Sequence, residues 1–171
     1  MSENLRPEKY QHLQSVSVLN NPNYQYSGKF KNKVAFIPDA DSGIGRTLAI
    51  LFAKEGADVV CSHLNEDLDA EVTRQFVEKL GRRCLLINGD IRQSKHCNKL
   101  VDLTIKVFGR LDILVNHDDE HTSTEILQEI SNIKLNHILK VNVFTECHIR
   151  RASSHVDHYI DYYQCQNLKS I

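Results

Sequence analysis

Three glycines punctuate this chain at the ends of helical stretches, and they restrict its fold more than any other feature. Gly56, Gly81 and Gly109 each close a segment of helical periodicity just ahead of a short apolar run, where a left-handed C-cap residue is wanted. The segments they separate alternate: Lys33 to Ile37 then Ile44 to Glu55, Asp58 to Cys61 then Asp67 to Leu80, Cys84 to Ile87 then His96 to Phe108, and finally Leu111 to Val115. Short strands alternating with helices of this length imply a parallel sheet covered on both faces, because parallel neighbours need a long right-handed crossover. The expected fold is α/β, a doubly wound Rossmann-like sheet made of the first four strands without the second half. Ile126 to Ile149 reads as one or two helices broken near Ser131, and beyond Arg150 no β-branched apolar run offers another central strand.

At 171 residues the chain has room for one domain with a sizeable core. Residues 1–32 are polar, with Pro7, Pro22 and a crowd of asparagines, and read as an arm; 33–150 form the partial Rossmann-like domain and 151–171 a divergent tail. A formal net charge of -1 gives no cationic field for nucleic acid or an anionic membrane surface. Apolar runs as short as Val34 to Ile37, and first residues lacking an apolar h-region, indicate neither a membrane span nor secretion, so a cytoplasmic location is expected. The five cysteines, Cys61, Cys84, Cys97, Cys147 and Cys165, contain no CxxC pair and are read as reduced small residues. The run His117-Asp118-Asp119-Glu120-His121 follows a strand and lacks the one-turn helical spacing of a zinc protease, so it is read as a solvated loop and no metal is assigned.

The first strand-to-helix turn, Pro38-Asp39-Ala40-Asp41-Ser42-Gly43-Ile44-Gly45-Arg46, carries the chemistry. Glycines there allow tight bending and close backbone approach, while the helix amino end offers free N–H groups and a positive dipole to a pyrophosphate. Val34 to Arg46 resembles the opening of short-chain dehydrogenase/reductases, the match lying in Gly43-Ile44-Gly45-Arg46. Further along, Gly89-Asp90-Ile91 resembles the family's acidic residue that contacts adenine, and Leu111 to Asn116 its fourth-strand signature. Asn142 falls at the family's helix asparagine, and Asn21-Pro22-Asn23-Tyr24 with Ser27-Gly28-Lys29 resembles the arm of a bacterial subgroup labelled general stress proteins. The resemblance spans Asn21 to Phe144. It implies an NAD(P)-dependent oxidoreductase moving a hydride between the nicotinamide and a small alcohol or carbonyl. Ser42, Gly43, Ile44, Gly45, Asp90, Ile91 and Asn116 would then bind the cofactor, and Asn142 and Tyr162 would be catalytic.

The departures from that pattern bear on activity. Asp39 replaces the family's first glycine, and His117-Asp118-Asp119 replaces the run that lines the cofactor cleft, which brings carboxylates to an anion site. Each opposes binding by ~1 kcal/mol at ~4 Å in water and more where water is excluded, so weak or lost cofactor binding is expected. No acid stands ~20 residues past the glycine loop to hold a ribose; His63 or Arg46 would meet a 2′-phosphate instead, which tilts the expectation to NADP. Four residues after Tyr162 stands Gln166, where the family's lysine would share the tyrosine's helix face and lower its pKa. The alternative to impaired activity is a catalytically silent relative acting by homo- or hetero-association, or a remnant without selected function.

Overall fold

The computed structural model describes residues 25–116, 131–140, 147–149 and 158–161. Within them lie strands β1 (Val34–Ile37), β2 (Asp58–His63), β3 (Cys84–Asn88), β4 (Ile113–Asn116) and β5 (His158–Asp161). The helices are α1 (Gly43–Lys54), α2 (Asp67–Lys79), α3 (Ser94–Phe108) and α4 (Asn132–Leu139). The strands form one sheet in the order β3-β2-β1-β4-β5, every pairing parallel. The doubly wound Rossmann-like fold expected from the alternation is therefore the observed one.

Strand periodicity divides the core in two. Ala35 and Ile37 of β1, Val59 and Cys61 of β2, and Ile113 and Val115 of β4 face Ala49, Phe52, Ala53 and Val77 of α1 and α2. Val34 and Phe36, Val60 and Leu114 point the other way, against Cys97, Leu100 and Val101 of α3 and against Ile149. Central strands buried on both faces cannot alternate polar with apolar residues, which is why they read as continuous apolar runs. The glycine stops are left-handed as expected, with φ of 96° at Gly56, 75° at Gly81 and 77° at Gly109. Residues just ahead of β1 dock on α1: the Phe30 ring stacks on Phe52 at 4.6 Å, and its N–H donates to the Glu55 carbonyl at 3.0 Å.

One expectation is corrected. The sheet has a fifth strand, in a segment read as a tail without strands: His158, Tyr159, Ile160 and Asp161 pair with Ile113 to Asn116. Only one of these four residues is β-branched and apolar, so residue pattern gave no signal. What the strand contributes is main-chain pairing along β4.

The amino ends of the strands hold two buried carboxylates, and both are fully engaged. Asp112 accepts the Val34 N–H at 2.8 Å and two bonds from Arg110 Nε, with Lys33 at 3.5 Å. Asp58 is gripped by Arg82 at 2.6 Å and Arg83 at 2.7 Å. Burial pushes both carboxyls up, but the arginine hydrogen bonds and charges more than offset it and hold them below the usual range.

Candidate functional site

The carboxyl ends of β1, β2 and β3 are built differently. After β1 the chain turns through Pro38 to Ser42, with Asp39 at a left-handed φ of 43°, a region that aspartate tolerates better than most residues. The turn is held down by the Ala40 N–H donating to the Ser62 carbonyl at 3.2 Å. It is pressed close against α1: a Cβ on Gly45 would lie 2.2 Å from the Asp39 carbonyl oxygen, so only glycine fits there. Gly43, at φ 53°, has nothing within 4 Å of a Cβ position and is free to meet another molecule.

The mouth of this turn is made by Asp39, Ser42, Gly43 and Ile44, all exposed. Ser42 is the N-cap of α1 with extended backbone and no side-chain capping bond, and the first turn carries no acidic residue. The amino-terminal N–H groups and positive dipole end of a twelve-residue helix thus face outward with no carboxylate of their own helix to neutralise them.

Arg46, the next residue, is turned inward. Its Nε donates to Thr73 Oγ1 at 2.9 Å and its Nη2 to the carbonyls of Asp69, at 3.0 Å, and Asp41. The guanidinium ties the turn to α2 and does not stand open as the sequence reading proposed. Asp41, 5% exposed, receives no such help: the arginine takes its carbonyl, and its Oδ1 is buried without a hydrogen-bond partner. Burial, and then the neighbouring Asp39 charge, push the Asp41 carboxyl above its ordinary range.

The end of β2 is similar. The His63 ring is buried, its Nε2 2.8 Å from Asp67 Oδ1, which also accepts the Asn88 amide at 2.9 Å. The His63 and Asn88 bonds hold the Asp67 carboxyl below its usual range. An acceptor on Nε2 places a proton there, and the buried Nδ1 is left without a partner. Beyond β3, Gly89 (φ 152°) lies flat under the His96 ring, whose atoms would be 2.1 Å from a Cβ on that residue. His96 Nε2 is a further buried atom without a partner, and burial followed by the Lys99 charge pushes the ring's pKa down.

Asp90 has a partner of its own. Arg92 hydrogen bonds to both its oxygens, at 2.7 and 3.0 Å, and with help from Gln93 these hold the carboxyl at about 2 despite partial burial. Ile91 points into the α3 core, and its carbonyl accepts the Cys97 thiol at 2.9 Å, so only main chain near it is open to a ligand. Asn116, half-buried, ends β4 beside Asp161. Ser42, Gly43, Ile44, Gly45, Asp90, Ile91 and Asn116 thus all stand at or just beyond the carboxyl ends of parallel strands, where open α/β sheets bind ligands. Asn142, Tyr162, Asp118 and Asp119 lie outside the described residues. Asp41, Thr73 and His96 were not singled out from the sequence. An acid two residues past Asp39 was the only available hint of the first, since burial is a tertiary property. Among the described residues no group of three or more His, Cys, Asp or Glu is placed to hold a metal, and no helix is long and apolar enough to cross a membrane.

Comparison with known proteins places this arrangement. Residues 39–156 match the family model described as enoyl-(acyl carrier protein) reductase. Over 130 residues the chain is 45% identical to the uncharacterized oxidoreductase YhdF of Bacillus subtilis, covering 76% of this chain and 45% of the relative. It is 39% identical to general stress protein 39 of the same organism, covering 76% and 46%. Among solved structures, a short chain dehydrogenase from Burkholderia cenocepacia in complex with NADP superposes with a TM-score of 0.68 at 28% identity, covering 74% of this chain and 52% of that one. Carveol dehydrogenase from Mycobacterium avium in complex with NAD gives 0.67 at 28% identity, covering 75% and 50%. The chain spans about half the length of the curated relatives it matches.

Proposed function

The chain belongs to the short-chain dehydrogenase/reductase family, and from that premise we propose that it binds a nicotinamide dinucleotide weakly at the carboxyl ends of β1 to β4. The observation that carries this reading is the outward-facing amino end of α1: exposed Ser42, Gly43 and Ile44, an acid-free first turn, and open space over Gly43. When bound, such a dinucleotide supplies hydride transfer at its nicotinamide ring, and the small alcohol or carbonyl is its redox partner. The residues present fit the group at the pyrophosphate, where the Gly43 and Ile44 main chain would hold it, and Asp90 and the main chain at Ile91 would line the adenine side. Asp39 is the poor fit, an exposed carboxylate at the mouth of the same anion site.

Arg46 is occupied by Thr73 and Asp69, and the His63 ring is buried with its Nε2 on Asp67, so neither side chain supports a tilt toward the phosphorylated cofactor. Asn142 would position a water and Tyr162 would exchange the proton with the substrate oxygen, as the family resemblance implies. Gln166 four residues on has no charge to lower a phenol pKa of ~10, which supports slow turnover.

A thermal melt of the chain alone and with each of NAD(H) and NADP(H) tests the reading. Ligand at ~100 times its dissociation constant adds ~2.7 kcal/mol, an upward shift of about 5–10 °C for a chain of this size. Activity with a carbonyl panel should then disappear in Tyr162→Phe. A cooperative melt that millimolar cofactor leaves unmoved refutes the binding reading and favours the catalytically silent, associating relative.

A further inference from the structure

The most unusual juxtaposition away from the carboxyl ends of the strands is a pair of thiols on neighbouring strands. Cys61 Sγ on β2 and Cys84 Sγ on β3 lie 3.8 Å apart, in contact but unbonded. The register pairs Cys61 with Leu86 and Val59 with Cys84, so the two cysteines are diagonal neighbours on one face of the sheet. Their surroundings differ. Cys61 is fully buried in the core under α1 and α2, whereas Cys84 is half-buried and opens β3, the strand that ends the sheet order.

We propose that Cys61 and Cys84 are a redox-active dithiol that a peroxide converts to a disulfide across the β2–β3 seam. Solvent access assigns the roles. Cys84 is the thiol that an oxidant can reach, whereas Cys61 is fully buried and the contact with Cys84 together with burial holds its proton on. The Cys84 sulfur attacks one peroxide oxygen, the O–O bond breaks, and the first water leaves as Cys84 becomes a sulfenic acid. The Cys61 sulfur then attacks the Cys84 sulfur; the S–O bond breaks, the hydroxyl departs with the Cys61 proton, and the second water is released. Two thiols and one peroxide yield one disulfide and two waters.

A disulfide needs the sulfurs at about 2.05 Å, so the start of β3 must draw toward β2. That movement falls where the sheet can yield: Cys84 is the first residue of its strand, follows the Gly81 turn, and has β2 as its one neighbouring strand among the described residues. The other described cysteines lack such a partner. Cys97 is buried with its thiol on the Ile91 carbonyl, and Cys147 is exposed.

The test is oxidation of the folded chain with stoichiometric hydrogen peroxide, alkylation of the remaining thiols, and mass spectrometry of non-reduced peptides. The expected result is loss of two hydrogens, one cross-linked peptide joining Cys61 to Cys84, and full return of both thiols with dithiothreitol. Cys61→Ser alters the core, so Cys84→Ser, at a half-buried edge position, is the primary variant; it should abolish the cross-link while leaving the thermal melt close to that of the parent. The same treatment in urea sets the background of random pairing. Stable sulfinic acid on Cys84 without the cross-link, a dominant bond to another cysteine, or equal Cys61–Cys84 pairing in the folded and urea-unfolded chain would overturn the proposal.

Discussion

The two edges of this parallel sheet treat buried polar groups in opposite ways. At the amino edge, Asp58 and Asp112 are each locked by two or more partners. At the carboxyl edge, Asp41 Oδ1, His63 Nδ1 and His96 Nε2 are buried with no partner at all. An unpaired buried polar atom costs stability, so a fold keeps it where something else requires it. The contrast separates a half of the molecule whose buried carboxylates are paired within the fold from a half that leaves buried polar atoms unpaired. The Asp90–Arg92 pair qualifies the division, because it places a strongly ionised carboxylate at the carboxyl edge without leaving it unsatisfied.

The largest expected effect lies at the amino edge. Asp112→Ala removes the acceptor of a main-chain N–H and of Arg110, and should lower unfolding free energy by about 3 kcal/mol in urea titrations. A loss below half of that would mean the amino edge is not the stabilising one. Next is Gly45→Ala, whose methyl meets the Asp39 carbonyl; overpacking of this kind should cost about 2 kcal/mol and displace the turn, eliminating any cofactor-induced melting shift. Asp39→Gly should act on binding instead. Removing one charge near the anion site, worth about 1 kcal/mol, should tighten dinucleotide binding roughly fivefold by calorimetry, and an unchanged affinity would place the pyrophosphate elsewhere.

The smallest effect is the most diagnostic. Asp41→Asn should change stability at pH 7 by less than about 1 kcal/mol, or raise it, because it removes a buried carboxylate that has one oxygen without a partner and the Asp39 charge beside it. Acid separates Asp41 from the arginine-paired Asp90 by sign. The Asp41 carboxyl is raised in the fold, so its favourable contribution is complete below the ordinary carboxylate value and is lost as pH rises through the folded value. The parent should therefore gain on Asp41→Asn as pH falls from neutrality toward 4. Asp90, held at about 2, behaves in the reverse sense: its contribution is present above the ordinary carboxylate value and lost as pH falls toward 2. Urea midpoints of the parent, Asp41→Asn and Asp90→Asn against pH would expose parallel curves, which would erase the distinction.

Much of this was legible in residue order alone. The alternation of strands and helices, the glycine stops and the Gly43-Ile44-Gly45 turn are local patterns, set by side-chain period and backbone freedom within a few residues. They determined the parallel α/β architecture and the position of the candidate site at the end of β1. Tertiary structure alone decided which groups at that site are engaged. Arg46 reaches Thr73, 27 positions away, and so does not face the site; Asp41 is burdened by burial that no neighbour in sequence announces. The strand at His158–Asp161 and the contact of Cys61 with Cys84 have the same origin. Pairing across a sheet joins residues far apart in the chain through backbone hydrogen bonds and shared burial, and neither leaves a periodic mark on the sequence.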